Sequence, residues 1–154
     1  MRALASITSV TRVAAVTWAT LTLGSCGDPA VVVPETLAVV TILPTHGASD
    51  VVADVVPLVY FSQSVGDTAA AAAAVDLACL GAPPCSSPTA ATCVAPLIAV
   101  TFEDARAQVA TITPSAPLLD DTCYAIVVGE GIEAQDSDIG PLPVEVRSSF
   151  KTRP

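Results

Sequence analysis

Apolar and β-branched residues recur along the chain in short runs, each closed by proline, glycine, aspartate or serine. Read as strands, the runs fall at residues 37–43, 55–61, 75–80, 96–102, 108–113, 123–128 and 144–150. Seven short strands with turn residues between them predict an antiparallel β-sandwich rather than alternating βα units. The alternation is cleanest in the last run, with Val144, Val146 and Phe150 expected on one face and Glu145, Arg147 and Ser149 on the other. In the sixth run Tyr124, Ile126 and Val128 are expected to point inward, with the Tyr124 hydroxyl in reach of backbone at the sheet corner. Tyr60, Phe61, Phe102, Tyr124 and Phe150 all fall in strand runs and read as core. One segment breaks the pattern. Asp67-Thr68 ahead of a run of alanines predicts a capped turn or two of helix crossing one end of the sandwich, too short to persist alone.

The start of the chain reads differently. Arg2 and Arg12 accompany an apolar stretch at 13–23 that Gly24, Ser25, Gly27 and Asp28 cut short. A basic segment and a short apolar core predict an export signal over residues 1–25, since a membrane span needs about 20 apolar residues. Leu23-Gly24-Ser25-Cys26 resembles the lipobox of bacterial lipoproteins, with Gly24 a less usual choice. The resemblance implies a diacylglyceryl group on Cys26, which becomes the new N-terminus, a tether over 26–35 and a folded domain over 36–154. It also implies lipid attachment in the cell envelope, at the outer membrane or the periplasmic face of the inner membrane.

The cysteine count fits that picture. Of five cysteines, Cys26 taken by lipid leaves Cys79, Cys85, Cys93 and Cys123, enough for two bridges in three possible connectivities. The favoured set is Cys85–Cys93, closing the proline-rich insertion, with Cys79–Cys123 tying the third strand to the sixth. Alternation raises an objection. Cys123 points opposite to Tyr124, while Cys79 shares parity with Val75 and Leu77, so this bridge needs a bulge near Gly81 or another register. The main competitor is Cys79–Cys85 with Cys93–Cys123.

Charge narrows the partners. Without Arg2 and Arg12, four basic residues face fifteen acids, a side-chain charge of about −11. Such a surface repels nucleic acid and anionic headgroups, so neither is an expected partner.

Several stretches together resemble the bacterial Ig-like domains of the SbsA type, found on surface-layer and cell-envelope proteins. They are Pro44-Thr45-His46-Gly47-Ala48-Ser49-Asp50-Val51, Phe61-Ser62-Gln63-Ser64-Val65, Pro114 with Leu118, Tyr124-Ala125-Ile126-Val127-Val128, and Ser149-Phe150-Lys151-Thr152. The resemblance implies an all-β, immunoglobulin-like, seven-stranded antiparallel sandwich with Greek-key connections, and structural, spacing or adhesive roles. Its expected partner is an envelope protein or polysaccharide. Two places depart from the family pattern: the loop Asp136-Ser137-Asp138-Ile139-Gly140-Pro141-Leu142 is longer by a residue, and the Cys- and Pro-rich segment 81–95 exceeds the usual hairpin.

Catalytic chemistry has little to draw on. His46 is the only histidine and sits in a turn motif, so a Ser/His or Cys/His pair could form only around it. The acid pairs Glu103-Asp104 and Asp120-Asp121 fall where turns are expected, and neighbours there point apart. Glu130, Glu133, Asp136 and Asp138 offer hard oxygens that Ca²⁺ could use, without the EF-hand spacing; this is the one metal candidate beside an expectation of no cofactor. The chain is therefore read as a non-catalytic envelope lipoprotein. An accessory carbohydrate- or protein-binding module of an envelope enzyme system is the alternative, ahead of a Ca²⁺-binding adhesion domain or a hydrolase.

Overall fold

Short apolar runs become strands where one side can be buried, and among the described residues seven do so, with one polar segment, β2, added by backbone pairing: β1 (Val39–Leu43), β2 (Ala48–Val51), β3 (Leu58–Phe61), β4 (Val75–Gly81), β5 (Ile98–Phe102), β6 (Val109–Pro114), β7 (Cys123–Val128) and β8 (Val146–Thr152). The computed structural model describes residues 36–85, 93–103 and 105–154. The expected signal, Cys26, the tether through residue 35 and Asp104 lie outside the described residues. The strands form two four-stranded sheets, β1-β3-β6-β5 and β2-β8-β7-β4. Every named pair is antiparallel except β2 with β8, which is parallel. The links β3–β4, β4–β5 and β6–β7 each cross from one sheet to the other, giving a Greek-key sandwich. Among the described residues no helix is long and apolar enough to cross a membrane.

The strand missing from the sequence reading is β2. The chain leaves β1 at Pro44, turns through Gly47 at φ +79°, and joins the opposite sheet beside β8. Ala48-Ser49-Asp50-Val51 shows no apolar alternation, so nothing in its pattern marks a strand. Backbone pairing makes it one: Gly47 N–H donates to Ser149 O at 2.7 Å and Arg153 N–H to Val51 O at 2.9 Å.

The inner faces meet in one core. Val59 and Phe61, Ala110 and Ile112, Leu77, Ile126 and Val128, and Phe150 are all buried there. Each large side chain so placed contributes about 1.5–3 kcal/mol. In β8 the inward set is Val146, Ser148, Phe150 and Thr152. Val144, expected inward, precedes the strand and is exposed, because pairing with β7 begins only at Val146. Ser148 and Thr152 keep the parity although they are polar, because each finds a partner. Ser148 Oγ donates to Pro44 O, and Thr152 Oγ1 lies 2.6 Å from Leu119 O. Tyr124, buried and stacked on Phe150 at 5.8 Å, accepts the Leu119 N–H on its hydroxyl at 2.9 Å. The corner read from the sequence is there.

The alanine run folds as α1 (Thr68–Ala73), with Asp67 accepting the N–H groups of Ala69 and Ala70 at 2.9 and 3.0 Å. Its buried residue is Ala71, and the helix packs against β5 and β4 where the sandwich would otherwise lie open. Packing supplies what propensity alone does not.

All four later cysteines are paired, but neither expected connectivity occurs. The bridges are Cys79–Cys93 and Cys85–Cys123, with Cα atoms 5.9 and 5.3 Å apart. The expected bulge exists, since pairing with β7 slips between Cys79 and Gly81, and Gly81 has φ +92°. It does not overcome face parity. Cys79 lies on the inner face with Val75 and Leu77, and it meets Cys93, which packs against the core ahead of β5. Cys123 faces the other way from Tyr124 and meets Cys85, just past the end of β4. A strand cannot send Cys79 to both faces, so the Cys79–Cys123 bridge is ruled out and each cysteine takes the partner on its own side.

Candidate functional site

Two connections meet at one end of the sandwich: residues 62–74, which carry α1, and residues 129–145. They are locked backbone to backbone. Gly66 N–H donates to Glu133 O at 3.0 Å and Gln135 N–H to Ser64 O at 2.7 Å, around a bridge between Val65 and Ala134. Gly66 allows this approach, since a Cβ there would stand 2.9 Å from Ala134 O. The longer loop closes on itself through Gly131 N–H to Leu142 O and Leu142 N–H to Ile132 O. Val65, Ile132 and Leu142 are buried beneath it. An acidic surface loop thus rests on a fixed base.

The candidate acids do not converge. Glu130 and Glu133 line a cleft of about 390 Å³ beside α1, together with Asp67, whose carboxylate already caps the helix. Asp136 lines a separate cleft with Gln63 and Ser64, and its carboxylate accepts the Asp138 N–H at 3.0 Å in a local turn. Among the described residues no group of three or more His, Cys, Asp or Glu side chains is placed to hold a metal ion. The arrangement offers separate carboxylates to solvent rather than a coordination shell.

His46 has the neighbour that the sequence did not identify. Its Nδ1 lies 3.2 Å from Ser149 N and 3.3 Å from Ser149 Oγ. Nδ1 accepts the Ser149 backbone N–H, which ties the first turn to β8. Both residues are at the surface, outside the clefts described. Glu103 is exposed, and Asp120 and Asp121 sit in the turn before β7, where Asp121 pairs with Lys151 at 2.6 Å. These acids are strand-end and turn residues.

One aromatic is misplaced by the sequence reading. Phe61, Phe102, Tyr124 and Phe150 bury or pack against the core, but Tyr60 alternates with the buried Val59 and Phe61 and stands on the outer face of its sheet, partly exposed. Parity along β3 held the signal for it.

Residues 34–152 match the profile of a family described as "Bacterial Ig-like domain". No curated protein matches the chain. Among solved structures, one of the S-layer protein SbsC is similar at 18% identity over 77% of this chain and 14% of that chain, with a TM-score of 0.48. One of the N-terminal part of the bacterial S-layer protein SbsC is similar at 18% identity over 77% of this chain and 24% of that one, with a TM-score of 0.47. L,D-transpeptidase 3 from Mycobacterium tuberculosis, in complex with a faropenem-derived adduct, is similar at 22% identity over 76% of this chain and 38% of the other, with a TM-score of 0.40. The chain spans well under half the length of each.

Proposed function

The chain belongs to the bacterial Ig-like domain family, and on that premise we propose that it is a lipid-anchored cell-envelope protein whose module serves a structural, spacing or binding role without catalysis. The observation that carries this reading is the use of the cysteines. Cys79, Cys85, Cys93 and Cys123 are consumed by two bridges within the domain, so the remaining cysteine, Cys26, is the one at the lipobox-like Leu23-Gly24-Ser25-Cys26. Paired cysteines suit an oxidising, extracytoplasmic compartment. A cysteine left over in such a chain needs another fate, and acylation provides one. Two or more acyl chains on Cys26 would hold the protein stably in a membrane, where a single chain would not.

The absence of a catalytic role rests on the arrangement just described: separated acids and a histidine whose acceptor nitrogen faces a backbone amide. The test is metabolic labelling in a bacterium that processes lipoproteins. Wild type is expected to incorporate labelled palmitate and to partition with membranes, and Cys26→Ala to do neither. Equal labelling of the two would remove the anchor from the proposal.

A further inference from the structure

The β1-β3-β6-β5 sheet contains no charged residue in any of its four strands, in a chain with fifteen acids and six bases. The other sheet holds Asp50, Asp76, Arg147 and Lys151. Register fixes what the neutral sheet presents outward. Leu43, Leu58, Thr111 and Thr101 form one row across all four strands; Thr41, Tyr60 and Val109 form the next, and Thr113 stands beside Ala99. Their strand neighbours Ile42, Val59, Phe61, Ala110 and Ile112 occupy the core, so these residues lie on the opposite face. The surface therefore sets the hydroxyls of Thr41, Thr101, Thr111 and Thr113 among Leu43, Leu58 and Val109 around one partly exposed tyrosine ring, with no charged strand residue. Glu103 sits past the end of β5 at the rim, where Thr101 Oγ1 reaches it at 3.4 Å.

We propose that this face binds a neutral glycan strand, with the Tyr60 ring as its stacking platform and the threonine hydroxyls as its hydrogen-bond partners. Charge selects the ligand class. An anionic polymer would find no cation on the face and a protein of net charge −9 around it, and a cationic one would find no carboxylate in the sheet. A hydroxyl-rich neutral ligand loses nothing by the absence of ions, and a Tyr ring suits the apolar face of a sugar. Area decides against a second copy of the chain. Four strands about 4.8 Å apart and about five residues long at 3.4 Å give a face of roughly 320 Å². A standard stable interface buries about 800 Å² on each partner. A short oligosaccharide needs no such area.

The proposal deepens the binding half of the function above and is independent of the lipid anchor, so a failure of palmitate labelling leaves it standing. Its test is titration of the purified, ¹⁵N-labelled protein with chitotetraose and cellotetraose, with tetragalacturonate as the anionic comparison. Saturable amide shifts are expected in β1, β3, β5 and β6 with at least one neutral tetrasaccharide. Tyr60→Ala should weaken binding at least tenfold and Thr111→Val severalfold, both with native-like dispersed spectra, while Glu133→Gln at the loop end should leave it unchanged. Shifts confined to the loop end, equal binding of tetragalacturonate, or no saturable binding to either neutral sugar would overturn the proposal. So would a dimer mass in sedimentation equilibrium with concentration-dependent shifts on this face.

Discussion

At the scale of single residues, the strongest determinants are polar groups that the core encloses. Thr152 is fully buried; its hydroxyl lies 2.6 Å from Leu119 O and accepts the Thr122 N–H at 3.0 Å. Together with the Tyr124 hydroxyl on the Leu119 N–H, it holds the approach to β7 from within. Thr152→Val keeps the volume but strands a buried N–H and a carbonyl, which costs about 1–3 kcal/mol. The expected readout is a lower urea midpoint with an unchanged slope. Tyr124→Phe removes one acceptor only and should cost less. The contrast is Glu145, whose hydrogen bond with Arg147 lowers its carboxyl from the ordinary value while both remain at the surface. A depressed folded pKa contributes stability above the unfolded value and loses it as pH falls through the folded one. Water screens such a pair, so Glu145→Gln should leave the melting temperature at neutral pH within measurement error.

At the scale of elements, the bridges set the expectation. Non-reducing peptide maps after cleavage between each successive pair of Cys79, Cys85, Cys93 and Cys123 should recover Cys79 linked to Cys93 and Cys85 linked to Cys123. The two closures span 14 and 38 residues, so chain entropy assigns them about 3 and 4 kcal/mol. Replacing Cys85 and Cys123 by alanine should therefore lower stability by more than replacing Cys79 and Cys93, as read from denaturant midpoints; the reverse order would show that strain or residual unfolded structure outweighs loop length. The strands were legible because Leu77, Ile126, Ile112 and Phe150 repeat at the period of a buried face. Parity even carried the objection that decided the bridges, but spacing along the chain favoured the short closure over it. What stayed illegible had no side-chain signal: β2 exists through backbone pairing with β8, and His46 meets a serine more than a hundred residues away. Tyr60 was readable and misread, because a tyrosine in a strand resembles core until its neighbours' parity is counted.

At the scale of the whole molecule, the acidic end of the sandwich is a rigid rim whose carboxylates point to different places. Sequence located the acids and not their base, since the hydrogen bonds of Gly66 and Gln135 depend on a loop some seventy residues distant. Replacing Glu133, Asp136 and Asp138 together by alanine or asparagine should shift stability by under about 0.5 kcal/mol each. Millimolar calcium should leave the wild-type melting temperature where it was; a rise seen in wild type and lost in the triple variant would establish a cation site. The parallel pairing of β2 with β8 carries a mechanical consequence. These strands lie near the two ends of the folded region and run in the same direction, so the chain enters the pair at one pole and leaves it at the other. A pull on the start of β2 against the end of β8 would slide one strand along the other, and the bonds at Gly47–Ser149 and Val51–Arg153 would resist together. The bonds of a parallel pair are slanted but still run from strand to strand, so such a load strains them together rather than peeling them in turn. The β2–β8 pair is thus arranged to resist shear along its own length.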